Sequence, residues 1–276
     1  MTIETRQQTL STSHGLLMVE ESGHGQLPVL LIHGNSCCRS VFRHQLQGPL
    51  AEEYRLIAFD LPGHGQSSNA ADPERSYTTP GFADAAIEVL GQLGVAEAVV
   101  FGWSLGGHIG IEMMSRFPGL RGLIITGAPP VGRNEAAKGF IFSPHMALAA
   151  QQVLSEADID AFAGAVLGEP IEPFLRDAAA RADGLARKTM FEALHAGVGV
   201  DQRQTVETIP VPLAVINGSN DSFVNLDYLD TLGYANLWEG RCHRLPVLGH
   251  APFWAAPDIF DPILRRFLQD VAGGRA

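Results

Sequence analysis

A serine near the middle of the chain lies in a setting that favours nucleophilic chemistry. Ser104 is the centre of Gly102-Trp103-Ser104-Leu105-Gly106, which follows the apolar residues 98–101 and precedes a helix-like stretch. A strand, a G-x-S-x-G turn and a helix predict a nucleophile elbow, whose sharp turn lifts the serine hydroxyl clear of a sheet. Free N–H groups at the start of the helix would favour a developing oxyanion. We therefore predict that Ser104 is a catalytic nucleophile.

A serine nucleophile needs a base, and His250 is the best candidate among the 10 histidines. It follows the last predicted strand in a Gly-His turn and comes last in the chain, as the order Ser, acid, His requires. The acid must orient the imidazole and stabilise its charged form. Asp221 is the best choice because it directly follows another predicted strand, whereas we expect Asp227 and Asp230 to face solvent. An alternative acid position at residues 127–130 contains no acidic residue.

Two backbone N–H groups are expected to form an oxyanion hole. One belongs to Leu105, directly after the nucleophile, and the other to Asn35, which follows His33 and Gly34. Losing one such donor typically costs about 2.7–4 kcal/mol of transition-state stabilisation. The Asn35 side chain has two possible roles, substrate binding or holding its own loop, and the residues favour neither. We expect Asp60 to brace the glycine turn at residues 63–65.

Other chemistries lack the residues that they need. The chain has neither an H-x-H-x-D-H cluster nor an H-E-x-x-H helix, so no metal site is predicted. Its glycine pairs match neither a dinucleotide fingerprint nor a phosphate loop, so no cofactor is predicted. A serine rather than an aspartate at position 104 argues against an alkyl-enzyme ester. The chemistry that remains is acyl transfer to water.

The composition limits the binding partners and the cellular compartment that we expect for this chain. The 276 residues include 19 basic and 30 acidic side chains, a net charge of −11, which disfavours nucleic acid and anionic membranes. A small, neutral substrate fits this balance better. The polar residues 1–10 and the lack of a long apolar run predict neither a signal peptide nor membrane insertion. Three cysteines, Cys37, Cys38 and Cys242, are too few for a disulfide framework, so we expect a cytoplasmic protein with free thiols.

Short apolar strands alternate with helical stretches, which predicts the α/β class with a mostly parallel sheet and helices on both faces. The predicted strands are residues 16–20, 29–32, 55–59, 98–101, 120–126, 212–216 and 242–247. Helices are predicted over residues 82–93 and 259–271. The strand pattern disappears between residues 131 and 209, where apolar residues recur at helical spacing. We therefore expect a core of residues 1–130 and 210–276, with residues 131–209 inserted as a helical cap.

The cap is expected to cover the elbow, because binding sites in such sheets lie at the carboxyl ends of the strands. The alternative is a helical subdomain that only shields the core. We expect four residues to contact the substrate: Asn35, Trp103, Phe162 and Met190. An apolar cap could also select the length of an acyl tail, since each buried methylene contributes about 0.8 kcal/mol.

Several segments together resemble the α/β-hydrolase superfamily and, more closely, the N-acyl-homoserine lactonases of the AidH type. The shared segments are Ile32-His33-Gly34-Asn35-Ser36, Asp60-Leu61-Pro62-Gly63-His64-Gly65, residues 99–113, Gly168-Glu169-Pro170 and Gly249-His250-Ala251-Pro252-Phe253. The resemblance implies an α/β-hydrolase fold and metal-free opening of the homoserine lactone ring. It also implies a triad of Ser104, Asp221 and His250, with Asn35 and Leu105 at the oxyanion hole.

The chain departs from this family at two positions. Asp221 stands where the family has a glutamate, and Phe162 stands where it has a tyrosine. The first change shortens the acid by one methylene, and the second removes a hydroxyl from the expected pocket. Two alternative functions stay open: a general carboxylesterase or perhydrolase, and a signal-binding regulator that keeps a hydrolase fold. The sequence predicts no oligomeric state.

Overall fold

The computed structural model describes residues 3–276, which form one eight-stranded sheet with the strand order β1-β2-β4-β3-β5-β6-β7-β8. The strands are β1 Thr5–Thr12, β2 Gly15–Ser22, β3 Pro28–Ile32, β4 Arg55–Phe59, β5 Ala98–Trp103, β6 Leu120–Thr126, β7 Leu213–Gly218 and β8 His243–Leu245. Strands β3 to β8 pair in parallel, whereas β1 with β2 and β2 with β4 pair antiparallel. The predicted α/β class with a mostly parallel sheet is confirmed.

Several strand predictions need correction, since β2, β5 and β7 each extend two residues beyond their predicted ends. The strand predicted first, at residues 16–20, is the second, because the polar strand β1 precedes it. Strand β1 is an edge strand whose residues pair with β2 but stay half-buried or exposed, so it lacks an apolar signature. The last strand ends at Leu245 rather than at residue 247, where Val247 has a left-handed φ of 60°. Met1 and Thr2, part of the polar segment and of the core predicted from sequence, lie outside the described residues.

Most helices lie in the connections between strands, and the last two follow β8. They are α1 Arg43–Leu46, α2 Leu50–Glu53, α3 Pro73–Ser76, α4 Thr79–Gln92, α5 Leu105–Met113, α6 Ala136–Gly139, α7 Pro144–Leu148, α8 Glu156–Leu167, α9 Pro173–Arg181, α10 Gly184–His195, α11 Gln202–Thr208, α12 Leu226–Leu229, α13 Pro252–Ala255 and α14 Pro257–Ala272. Two 3₁₀ helices span Arg39–Phe42 and Trp238–Gly240. Within residues 3–276, no helix combines the length and the apolar character needed to cross a membrane.

Helices cover both faces of the sheet, as contacts to two successive residues of β6 show. A Cβ at Gly110 of α5 would lie 2.5 Å from Leu123. A Cβ at the preceding residue, Gly122, would lie 3.0 Å from both Phe267 and Val271 of α14. Successive residues of a strand point to opposite faces, so α5 and α14 lie on opposite faces. Strands β5 and β7 are buried along their whole length, as expected for parallel strands covered on both sides.

Six helices, α6 to α11, lie between β6 and β7 in the segment predicted to form the cap. Polar side chains start several of them; in α8, Ser155 and Asp158 form a reciprocal capping box. The segment is bonded to the core by Tyr77, whose hydroxyl donates to Asp183 Oδ2 at 2.7 Å, and by Arg181, which donates to the Ser67 carbonyl at 2.7 Å. We keep the name cap for residues 131–209, and its separation from the core as a domain stays a prediction.

Candidate active site

The turn between β5 and α5 gives Ser104 an unusual backbone conformation. Ser104 has φ 54° and ψ −119°, a region that costs an L-residue on the order of 1–3 kcal/mol. Its N–H donates to the Thr126 carbonyl at 2.7 Å, which joins the elbow to β6. A side chain at Gly102 would collide with the backbone of Gly106, and one at Gly106 with the Ile32 carbonyl. The flanking glycines thus allow the close approach that the strained turn requires.

Asp221 and His250 form a buried pair beside this turn. His250 Nδ1 lies 2.8 Å from Asp221 Oδ2, and both residues are only 6% exposed. The other carboxylate oxygen, Asp221 Oδ1, accepts the N–H groups of Phe223 at 2.8 Å and Val224 at 3.2 Å. A carboxylate held in this way favours a proton on Nδ1 and leaves Nε2 as the acceptor. The shorter acid at position 221 therefore still reaches the imidazole.

Gly127 leaves room for the imidazole of His250 close to the elbow. It follows Thr126, the residue that binds the Ser104 N–H, and its φ is +68°. A Cβ at Gly127 would lie 2.6 Å from His250 Cε1. The Gly127 N–H donates to Asn217 Oδ1 at 2.7 Å, which fixes the loop from the side of β7. Sequence reasoning missed both Gly127 and Asn217, although each stands at the carboxyl end of a predicted strand.

The loop after β3 faces the same turn. A Cβ at Gly34 would lie 3.1 Å from the Trp103 ring and 3.2 Å from Ser104 Cβ. Among residues 3–276, the N–H groups of Asn35 and Leu105 form no hydrogen bond, so both can serve a ligand. The hydroxyl of Ser104 is likewise without a partner there, and catalytic hydrogen bonds often tighten only when substrate binds.

His33 fixes the shape of this loop as a neutral side chain. Its Nε2 accepts the Leu61 N–H at 3.0 Å, and its Nδ1 donates to the Gly34 carbonyl at 2.7 Å. Complete burial lowers the pKa of His33 to about 4, so the ring stays uncharged near neutral pH. The Asn35 side chain donates to the Ala149 carbonyl of the cap at 2.9 Å, which fits its loop-holding role.

The other residues predicted to bind substrate are all buried. Trp103 is 1% exposed, and its indole N–H donates to the His250 carbonyl at 3.0 Å. Its ring packs 5.7 Å from the His250 ring and 5.4 Å from the Phe253 ring, so the structure shows a packing role. Phe162 in α8 and Met190 in α10 are each 4% exposed. A contact of these side chains with substrate stays a prediction.

Several other polar residues that the sequence singles out form hydrogen bonds or ion pairs away from the triad. His108 lies 2.7 Å from Gln202 Oε1, and burial lowers the pKa of its imidazole. Asp60 binds the N–H groups of Arg39 at 2.7 Å and Gln66 at 2.8 Å, beside the glycine turn that we expect it to brace. Asp227 and Asp230 both pair with Arg244 at the surface. In the part of the chain that the structure describes, no three His, Cys, Asp or Glu side chains cluster as metal ligands.

The arrangement suits acyl transfer through a serine. His250 Nε2 is free to take the Ser104 proton, while Asp221 would stabilise the resulting imidazolium. The N–H groups of Asn35 and Leu105 are the candidates to bind the tetrahedral oxyanion. These catalytic roles stay predictions.

Comparison with known proteins identifies the family. The family model described as "Alpha/beta hydrolase family" matches residues 29–261. Among solved structures, N-acyl homoserine lactonase AidH complexed with N-butanoyl homoserine is 51% identical, with a TM-score of 0.95 and coverage of 96% of this chain and 97% of that one. A mutant of AidH complexed with N-hexanoyl homoserine lactone is 50% identical, with a TM-score of 0.94 and coverage of 96% and 98%.

A more distant relative is the pimeloyl-[acyl-carrier protein] methyl ester esterase of Neisseria meningitidis serogroup A. It is 26% identical, over 88% of this chain and 77% of its own length. These relatives act on ester or lactone bonds, in agreement with the chemistry that the site suits. The chain is thus a hydrolase of ester bonds and belongs to the alpha/beta hydrolase family.

Proposed function

We propose that this chain opens the lactone ring of N-acyl homoserine lactones without a metal ion. The observation that carries the proposal is its 51% identity, over 96% of its length, to a lactonase bound to N-butanoyl homoserine. The pairing of His250 with Asp221 at 2.8 Å, and the contact of His250 with Trp103 directly before the strained Ser104, support a serine mechanism for this reaction.

In the proposed mechanism, Ser104 Oγ attacks the lactone carbonyl while His250 Nε2 takes its proton. The N–H groups of Asn35 and Leu105 stabilise the oxyanion until the ring C–O bond breaks. The proton on His250 then passes to the ring oxygen, which becomes the homoserine hydroxyl. Water activated by His250 attacks the ester on Ser104 and releases the N-acyl homoserine with a free carboxylate.

Product analysis tests this proposal directly. The enzyme is incubated with N-hexanoyl homoserine lactone, and the products are separated and identified by mass spectrometry. Ring-opened N-hexanoyl homoserine is expected, at many turnovers per enzyme and without added protein. Hexanoate with intact homoserine lactone would mean amide cleavage and would refute the lactonase assignment. The Ser104→Ala variant measures the spontaneous opening of the ring and should leave only that background.

A general carboxylesterase is the second candidate, favoured by the similarity to a methyl ester esterase. The two functions differ in selectivity, which is measured by the ratio of kcat/KM values. We expect kcat/KM for N-hexanoyl homoserine lactone to exceed that for p-nitrophenyl hexanoate after correction for the more reactive leaving group. A higher kcat/KM for the open-chain hexanoate ester, also when its leaving group is a poor alcohol instead of p-nitrophenol, would favour the esterase.

A further inference from the structure

A buried arginine of the cap, Arg187 in α10, stands without a carboxylate partner. The residue is 4% exposed, and it forms no ion pair within residues 3–276. Its guanidinium donates to three neutral oxygens: the Gln151 carbonyl at 2.7 Å, the Gln152 carbonyl at 3.1 Å and Ser36 Oγ at 3.1 Å. The Asp183 carboxylate acts on this cation only from beyond ion-pair distance. Burying a cation without a directly paired carboxylate is costly, so these hydrogen bonds need a reason beyond packing.

These contacts lead directly to the loop of the proposed oxyanion hole. Ser36 Oγ accepts from Arg187 and donates to Asn35 Oδ1 at 3.2 Å. Asn35 Nδ2 in turn donates to the Ala149 carbonyl, in the same cap turn that supplies the two carbonyls bound by Arg187. The result is a closed ring of hydrogen bonds that runs from Arg187 through Ser36 and Asn35 to residues 149–152.

We propose that Arg187 is a positioning residue, which holds the Asn35 peptide so that its N–H can meet the oxyanion. The proposal rests on the proposed role of that N–H group. Ser36 is completely buried and has a left-handed φ of 54°, so its loop adopts a strained form that needs outside support. A planar guanidinium can bind several oxygens in a fixed geometry, which a lysine ammonium cannot do.

The Arg187→Met variant tests the proposal, with Arg181→Met, at an exposed cap arginine, as the control. Arg181 is also a cap arginine that donates to core oxygens, the Ser67 carbonyl at 2.7 Å and Asn69 Oδ1 at 3.0 Å, outside the Asn35 loop. Rates are measured with p-nitrophenyl acetate and expressed per active site by titration with an organophosphorus ester. We expect Arg187→Met to lower kcat by about 10- to 100-fold with KM within twofold. Arg181→Met should keep the wild-type kcat.

A trifluoromethyl ketone supplies a readout that a purely structural role would not change. Serine adds to this ketone, and the adduct places an oxyanion in the hole. If Arg187 positions the Asn35 N–H, affinity for the ketone falls in the same proportion as kcat/KM across the variants. A rise in KM at constant kcat, or a lower titratable fraction with normal kcat per site, would overturn the proposal.

Ser36→Ala provides a second test that leaves Arg187 in place. It should lower kcat by about tenfold, and in the double variant Ser36→Ala/Arg187→Met the two losses should be far from additive. An unchanged kcat in Ser36→Ala, or additive losses of kcat in the double variant, would contradict an action of Arg187 through Ser36. Ser104→Ala separates the two proposals: activity retained there refutes the serine mechanism, whereas activity lost there but kept in Arg187→Met refutes only the role of Arg187.

Discussion

The sheet and the cap differ in how completely their residues are buried. In the sheet, strands β5 and β7 are buried along their whole length, and apolar packing dominates. The cap also buries apolar side chains in the core, among them Phe162, Leu175 and Met190, but its helices are only partly buried. Their outer faces carry exposed ion pairs, such as those of Arg176 with Glu156 and Asp160. Exposed ion pairs contribute little stability, on the order of 0–1 kcal/mol each. The outer face of the cap should therefore tolerate substitutions better than the buried strands do.

The groups proposed for proton transfer all lie on loops that follow strands of the sheet. Ser104, Asp221 and His250 follow β5, β7 and β8, whose carboxyl ends meet at one edge of the sheet. The cap supplies the carbonyl of Ala149 that holds Asn35. Core substitutions should therefore change kcat, whereas most cap substitutions should change selectivity or stability.

The largest effect is expected for Asp221→Asn. An amide would favour the wrong imidazole tautomer and would not stabilise the imidazolium, so we expect kcat to fall about 10⁴-fold. Steady-state kinetics with a lactone and an aryl ester measure the loss. Asp227→Asn, at an exposed acid that pairs with Arg244, is the control and should keep full activity. A fall of less than tenfold in Asp221→Asn would mean that another group orients His250.

Gly127→Ala should have the next largest effect. Its added methyl group would lie 2.6 Å from His250 Cε1, so the imidazole must shift away from the elbow. A misplacement of about 1 Å costs roughly 100-fold in rate, which we expect to see in kcat. Gly94→Ala is the matched control: its φ is +69° but a Cβ there meets nothing within 4 Å. That variant should lose some stability at normal kcat, and equal kcat values for the two variants would argue against the His250 contact.

A cap substitution should act mainly on selectivity. For Phe162→Leu we expect kcat/KM for N-hexanoyl homoserine lactone to fall about tenfold, because apolar contacts discriminate by 1–3 kcal/mol, while p-nitrophenyl acetate is hydrolysed normally. Phe142→Leu, at a cap phenylalanine that is 69% exposed rather than 4%, should change neither rate. If Phe162→Leu lowers kcat/KM equally for N-hexanoyl homoserine lactone and p-nitrophenyl acetate, Phe162 affects the chemical step instead of selectivity.

The smallest effect concerns stability at acid pH. Burial lowers the pKa of His64 to about 3, from an ordinary value of 6.5. Stability from this neutral histidine is complete above pH 6.5 and is lost as the pH falls from there toward 3, because the unfolded chain binds the proton first. We expect His64→Gln to reduce the slope of unfolding free energy against pH by on the order of 1 kcal/mol per unit between about pH 6 and 4.

Chemical denaturation at a series of pH values measures that slope. His195→Gln, at an exposed histidine of the cap, is the control and should leave it unchanged. Equal slopes for wild type and His64→Gln would show that His64 is protonated in the folded state at these pH values.

The sequence was most informative where a local pattern determines a local structure. The predicted bounds of β4 and β6 match the structure, and the elbow around Ser104 has the predicted strand, turn and helix. Parallel strands also place their following loops together, which is why Asp221 and His250 could be paired from their order alone. The polar strand β1 escaped prediction because its edge position requires no apolar alternation.

The rest depends on contacts between distant segments. Arg187 reaches Ser36 across 151 positions, and Asn217 reaches Gly127 across 90. Neither pair lies in a recurring motif, and each contact depends on how a loop of irregular backbone packs against another element. The cap is the extreme case, because the helical periodicity of its sequence predicts helices but not how these helices pack over the core.

The two open edges of the sheet have a consequence for how copies of the folded chain meet. Unpaired strand edges are the places where another polypeptide can add a strand and start aggregation. At one edge, the side chains of Gln7 and Gln8 in β1 bind Glu20 and Glu21 of the neighbouring strand, so the outermost strand presents a polar surface. At the other, β8 is only 3 residues long. Both edges of the sheet are thereby poor templates for edge-to-edge association.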